Sequence, residues 1–213
     1  MSIELVQGSP EWLQARAGSL GASQVADALA KLKGGGWGST RATVKAQLVV
    51  ERITGRPTET YCSPAMQRGK DLEPQALAMY SFRDGHEVAA VGLVKHPAIA
   101  GSHCSPDGLC GADGMVEIKC CLAPRHIEVL TGSPPEDRYV KQCHWQMACT
   151  GRQWVDLAYF NPDFPGPMQI VVHRIERNDA VLIDLEDQVS AFLAEVAATV
   201  ADLEARYMVR EAA

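Results

Sequence analysis

The sequence predicts an α/β fold of the α+β kind, a mixed sheet flanked by helices. Helical spacing of apolar residues runs through the chain as far as Phe82. A valine-rich, glycine-punctuated texture begins after Gly85, and helical and strand-like runs then alternate to the end. With 213 residues, 46% of them hydrophobic, the chain is long enough to bury one substantial core. No repeat, low-complexity linker or compositional break divides it, so one unit over residues 1–213 is expected.

The elements follow in order. Pro10 to Ala17 reads as a short helix. Ser23 precedes a helical run from Gln24 to Lys31, which places its hydroxyl at a helix N-terminus, and Gly34 to Gly38 ends that run. Thr40 to Ile53 is a helix closed by Gly55 and Pro57, and a longer one spans about Pro64 to Phe82. Val88 to Lys95, the segment around His103, and Met115 to Cys120 are strands bounded by glycine or proline. Helices return at Ala123 to Leu130 and Glu136 to Cys149, and Trp154 to Phe160 and Gln169 to Ile175 add two strands. In the last helix Val189, Phe192, Leu193, Val196, Val200 and Leu203 form one stripe that should pack on the core.

The net charge of −6 argues against nonspecific coating of nucleic acid, because phosphate binding needs concentrated Lys and Arg. Any such contact must be local. The seven cysteines are odd in number, and the adjacent Cys120 and Cys121 suit neither a disulfide framework nor a CxxC metal site. Reduced thiols are expected, with an iron–sulfur or zinc site the lesser reading. Met1 to Pro10 lacks a signal pattern and no apolar run approaches the roughly 18 residues that cross a bilayer, so a cytoplasmic protein is expected.

The chemistry concentrates in DGLCGADGMVEIK, from Asp107 to Lys119. Asp113-Gly114 is a strong turn signal between two short apolar stretches, which predicts a β-hairpin. Alternation puts Met115, Glu117 and Lys119 on one face and Val116, Ile118 and Cys120 on the other. Counting back from a reversal near Ala112 and Asp113 sets Asp107 beside Glu117, within one residue of register. Two clustered carboxylates need a cation or a proton between them, and hard oxygen donors suit Mg²⁺ or Mn²⁺ rather than zinc. A nearby lysine can position or activate water, which makes the set fit for metal-assisted phosphodiester hydrolysis. Spacing alone equally fits a solvated strand face bearing a weak Glu–Lys pair.

The motifs SPDGLC (Ser105 to Cys110) and VEIKC (Val116 to Cys120) closely resemble the phage lambda exonuclease and YqaJ-like viral recombinase family. That family lies within the PD-(D/E)xK nuclease superfamily. WLQARAGSLGASQV, ITGRP, RGKDLEP and YVKQCHWQM occur in the family's order, so the resemblance covers most of the chain. It implies a PD-(D/E)xK core in which Asp107, Glu117 and the Ile118 carbonyl bind metal and Lys119 assists the attacking water. Glu73 matches a further acidic position, and Arg16 and Ser23 match holders of a 5′ phosphate. Ser105 and Gln142 match polar positions near that phosphate, Arg125 a basic residue beyond the catalytic strand, and Met66 an apolar wedge at the terminal base pair. Where the lambda enzyme has an aspartate, this chain has His96 and Pro97, so His96 is read either as a metal ligand or as a strand-end histidine satisfied by backbone.

The resemblance implies a Mg²⁺-dependent 5′ to 3′ exonuclease on double-stranded DNA ends, with Mn²⁺ substituting and two ions per site. It also implies a homotrimeric ring and a single-strand annealing partner, in a phage or prophage-bearing bacterium. The other readings are an endonuclease on the same core and a catalytically idle DNA-end-binding scaffold.

Overall fold

The structure, a computed structural model, describes residues 2, 3, 5–59 and 62–208. The first helix, α1 (Pro10–Arg16), starts where the Ser9 hydroxyl accepts a hydrogen bond from the Trp12 N–H and Pro10 supplies a preset φ. α2 (Val25–Ala28) follows a single 3₁₀ turn, Ala22–Gln24. α3 (Ser39–Thr54) and α4 (Pro64–Asp84) both end on left-handed glycines, Gly55 and Gly85. Ser63 caps α4 by accepting from the Met66 N–H. α5 (Ala123–Leu130), α6 (Asp137–Thr150) and α7 (Asp179–Tyr207) complete the helices.

Two sheets form. In the four-stranded one, β1 (Ser2–Ile3), β4 (Leu93–Lys95), β5 (Ser102–Cys104) and β2 (Leu20–Gly21) lie in that order. In the five-stranded one the order is β3 (Val88–Ala89), β6 (Gly108–Cys110), β7 (Gly114–Cys120), β8 (Trp154–Phe160) and β9 (Ile170–Glu176). β7 and β8 are parallel, joined by α5 and α6, while β6 and β9 are antiparallel to their neighbours. This is the predicted mixed α/β architecture.

The larger sheet buries both faces. Met115, Val155, Leu157 and Tyr159 enter a core shared with α2, α3, α6 and α7. Val116, Ile118, Ala158 and Phe160 turn to the other face, against Ala76 and Tyr80 of α4. The strand alternation read from the sequence is therefore the division between two apolar clusters, each large side chain contributing roughly 1.5–3 kcal/mol. The predicted stripe of α7 packs on the first cluster, with Val189, Phe192, Leu193 and Val196 buried and Val200 and Leu203 half-buried. No helix among the described residues is long and apolar enough to cross a membrane.

Three expectations are corrected. The helix predicted to reach Lys31 stops at Ala28, because the chain doubles back through a glycine turn in which the Gly38 N–H reaches the Ala30 carbonyl. Ser23 lies within the preceding 3₁₀ turn and does not cap it; Gln24 Oε1 accepts from the Gly21 N–H instead. The strand predicted over Val88 to Lys95 is two strands in different sheets, β3 paired with β6 and β4 with β5.

Candidate active site

The β6–β7 hairpin sets Gly108 opposite Val116, and one step further brings Asp107 opposite Glu117, the predicted register. β6 has not yet begun at Asp107, so its side chain takes the place of a ladder partner: Oδ2 accepts from the Ile118 N–H at 2.7 Å. The N–H and C=O of a strand residue leave the same edge, so the Ile118 carbonyl also faces the Asp107 side.

Glu117 is buried, and three donors converge on its carboxylate. Lys119 Nζ and Gln142 Nε2 each donate to Oε1 at 2.6 Å, and Gln146 Nε2 donates to Oε2 at 2.5 Å. Lys119 also reaches Gln142 Oε1 at 3.2 Å and lies over the Tyr139 ring, 4.6 Å from its centroid. Gln142 and Gln146 are one helical turn apart, so α6 presents both to β7.

Burial raises the Asp107 pKa well above the usual carboxylate range, and the charges of Glu117 and Glu73 push it the same way. Glu73, on the α4 side, is raised by burial and then by Glu117. For Lys119 burial opposes the charged form, yet the adjacent Glu117 carboxylate outweighs it and the pKa is raised. The place of Lys119 beside Glu117 favours its charged form, which suits it to orient water or phosphate.

The donor set fits a divalent cation. Among the described residues no three His, Cys, Asp or Glu side chains form a ready-made ligand cluster. Two carboxylates and one backbone carbonyl leave most positions to water, as Mg²⁺ prefers.

Asp107, Glu117, Lys119 and Gln142 line a cleft of about 200 Å³. Arg16, Ser23 and Ser105 line the same cleft, so the structure brings together most of the predicted site residues. The Arg16 guanidinium lies 4.3 Å from the Trp12 ring centroid, and Trp12 Nε1 donates to Ser105 Oγ at 3.2 Å, tying α1 to the strand that leads into Asp107. Burial lowers the Arg16 pKa, and the charge of Glu51 partly offsets this.

Glu73 influences Asp107 and is influenced by Glu117 without lining the cleft, and three predicted residues lie elsewhere. His96 is corrected as a metal ligand: its Nδ1 accepts from the N–H groups of Ala98 and Ile99, at 3.2 and 3.0 Å, and its Nε2 bonds Glu186 at 3.1 Å. Backbone N–H groups can only donate, so the ring proton sits on Nε2 and no lone pair remains for a metal. Arg125 is committed to Glu128, Glu136 and the Pro134 carbonyl, where it fastens α5 to the start of α6. Met66 is exposed in the first turn of α4 and so is not a core residue. Sequence reasoning missed Gln146, whose four-residue spacing from Gln142 was a readable signal, and Trp12, Gly21 and His103, which only the fold brings to the cleft.

Residues 11–153 match the YqaJ-like viral recombinase domain. The chain belongs to this family. No curated protein matches it. Among solved structures, an alkaline exonuclease (LHK-Exo) from Laribacter hongkongensis is 43% identical with a TM-score of 0.86, covering 93% of this chain and 97% of its own. The same enzyme in complex with dAMP aligns equally. A phage related exonuclease from Haemophilus somnus 129PT, 12% identical, covers 87% of this chain and 96% of its own with a TM-score of 0.66 and shares the fold. This YqaJ-like protein is a nuclease, of a family that generally works with a divalent metal.

Proposed function

We propose that this YqaJ-like chain is one nuclease unit that digests double-stranded DNA from its ends, 5′ to 3′. It holds the 5′ phosphate and leaves a 3′ single strand for recombination by annealing. The observation that carries this reading is that Asp107, Glu117 and Lys119 line the same cleft as Arg16, Ser23 and Ser105. An acidic cluster beside a guanidinium and two hydroxyls suits a scissile phosphate next to an anchored terminal one. The Laribacter relative's complex with dAMP, a deoxynucleoside monophosphate, supports the same substrate class.

Asp107, Glu117 and the Ile118 carbonyl would hold Mg²⁺, or Mn²⁺ in its place, and Glu73 would contribute to the site of a second ion. Bound there, the metal supplies polarisation of the phosphate and a lowered water pKa. Gln142 and Gln146 fix the Glu117 rotamer, and Lys119 directs its N–H groups at water or phosphate. Arg16 would fork onto the terminal phosphate, and Met66, exposed in the first turn of α4, would press against the terminal base pair.

Nucleotide release from linear duplexes with 5′-phosphate or 5′-hydroxyl ends tests the reading, beside a closed circle and Lys119→Ala. Release from phosphorylated ends with the circle intact and the variant inactive is expected. A cut circle would make the protein an endonuclease, and no release with metal-independent binding an end-binding scaffold. A homotrimeric ring with basic side chains lining its channel would reconcile the acidic whole with a DNA substrate. Sedimentation showing only monomer while long DNA is digested processively would rule the ring out. The annealing partner and a phage or prophage origin belong to the same proposal.

A further inference from the structure

His103 has no part in the site as described so far, yet it lines the same cleft as Arg16 and Ser23. It lies on β5, paired in parallel with Gly21 of β2, and is almost wholly buried. Ser19 Oγ lies 2.8 Å from His103 Nδ1, so one ring nitrogen is fixed by the protein. The other, Nε2, has no hydrogen-bond partner among the described residues.

Gly21 shows where Nε2 sits. A Cβ at that position would stand 3.2 Å from His103 Nε2 and 3.4 Å from Arg16 Nη2. The imidazole edge and the guanidinium therefore flank the same spot on the cleft wall, and the absence of a side chain at Gly21 leaves room beside both. Burial, then the charge of Arg16, lowers the His103 pKa to about 3, so the ring is neutral and adds no repulsion to Arg16. A neutral imidazole carries one N–H, and when the Ser19 hydroxyl donates to Nδ1 that N–H is on Nε2.

We propose that His103 is a specificity-determining residue for the end of the DNA, its Nε2–H donating to the terminal 5′ phosphate beside Arg16 while Ser19 holds the tautomer. This rests on the 5′-phosphate reading of the cleft. Arg16 supplies charge and a fork; His103 supplies a directed neutral donor whose bond to a charged phosphate oxygen is stronger than any it could make to a neutral hydroxyl.

The test is the ratio of kcat/KM on 5′-phosphoryl against 5′-hydroxyl duplexes, measured with the full chain for the native protein and for Arg16→Ala, His103→Leu and His103→Gln. His103→Leu removes a hydrogen bond to a charged group, so the ratio is expected to fall by about tenfold or more. His103→Gln restores an N–H donor and should recover most of the preference. In His103→Leu the loss should fall more heavily on phosphorylated than on hydroxyl ends, whereas a merely structural role would lower both alike. If Arg16→Ala loses the preference while His103→Leu keeps it, or if His103→Leu weakens both ends equally, the role of His103 is refuted. If the native protein shows no preference, the phosphate reading itself fails, and the inference with it.

Discussion

Gln146→Leu separates positioning from stability. Gln146 Nε2 donates to buried Glu117 at 2.5 Å, and losing a hydrogen bond to a charged group costs about 1.5–3 kcal/mol. Gln146 Oε1, however, is buried without a partner among the described residues, a burden of about 1–3 kcal/mol that leucine removes. The two nearly cancel, so the net change is within about 1 kcal/mol and the melting temperature moves by no more than about 4 °C. Activity has no such offset. With one of three donors gone, Glu117 loses its fixed orientation, and disrupting a carboxylate's supporting contacts typically costs about 10–100-fold in metal affinity or activity. Scanning calorimetry on the metal-free protein, together with nucleotide release across a Mg²⁺ titration, measures both quantities. The expected result is a near-native melting temperature with at least a tenfold higher Mg²⁺ requirement or lower kcat. A fall of 10 °C or more (roughly 3 kcal/mol), or an unchanged metal titration, would refute the reasoning.

Other consequences follow from the same packing. Tyr80→Phe removes the bond from the buried hydroxyl to Asp156 at 2.6 Å, which should cost about 1.5–3 kcal/mol in denaturant unfolding. Because Tyr80 packs on the sheet face away from α6, activity should change less than about twofold. Gly114→Ala would place a methyl 2.0 Å from the Trp154 ring across the β7–β8 pair, and overpacking of this kind should lower stability by about 1–3 kcal/mol or more. The raised Asp107 pKa sets a pH signature. A carboxyl whose folded pKa lies above its unfolded value contributes stability fully present below the unfolded value and lost as pH rises through the folded one. The metal-free protein should therefore lose melting temperature as pH climbs through that window. Added Mg²⁺ should raise it more at alkaline than at acid pH, since the ion must displace the Asp107 proton at low pH. Calorimetry from pH 5 to 9 with and without Mg²⁺ checks this, and a metal-induced shift that is the same at every pH would contradict it.

How much of this was legible in the sequence depended on how local the determinant is. The hairpin register followed from a reversal near Ala112 and Asp113 and a period of two, although Gly114 opens β7 and the left-handed turn residue is Gly111, so Asp107 opposite Glu117 and the two faces of β7 were readable without any tertiary information. Helices with Ser-Pro starts and glycine ends were equally readable, as at Ser63-Pro64 and Gly85. The division of Val88 to Lys95 was not, because β3 and β4 take partners in different sheets and nothing within eight residues records that choice. Ser23 matches a phosphate-holding position through the family resemblance, but its local sequence suggests only a cap, while its place in the cleft comes from the parallel β2–β5 pairing just before it.

That pairing also explains why His103 and Gly21 escaped notice, 82 positions apart in the chain but adjacent across two strands. His96 shows the converse. A histidine near an acidic motif looks like a ligand until its partners are counted, and two backbone N–H groups on one nitrogen settle the position of its proton. A nuclease centre recruits side chains by their reach toward one phosphate, whereas a core recruits them by periodicity. The carboxylates that share a hairpin can therefore be read from spacing, while the residues that meet them across β2, β5 and α6 become visible only when the sheets are assembled.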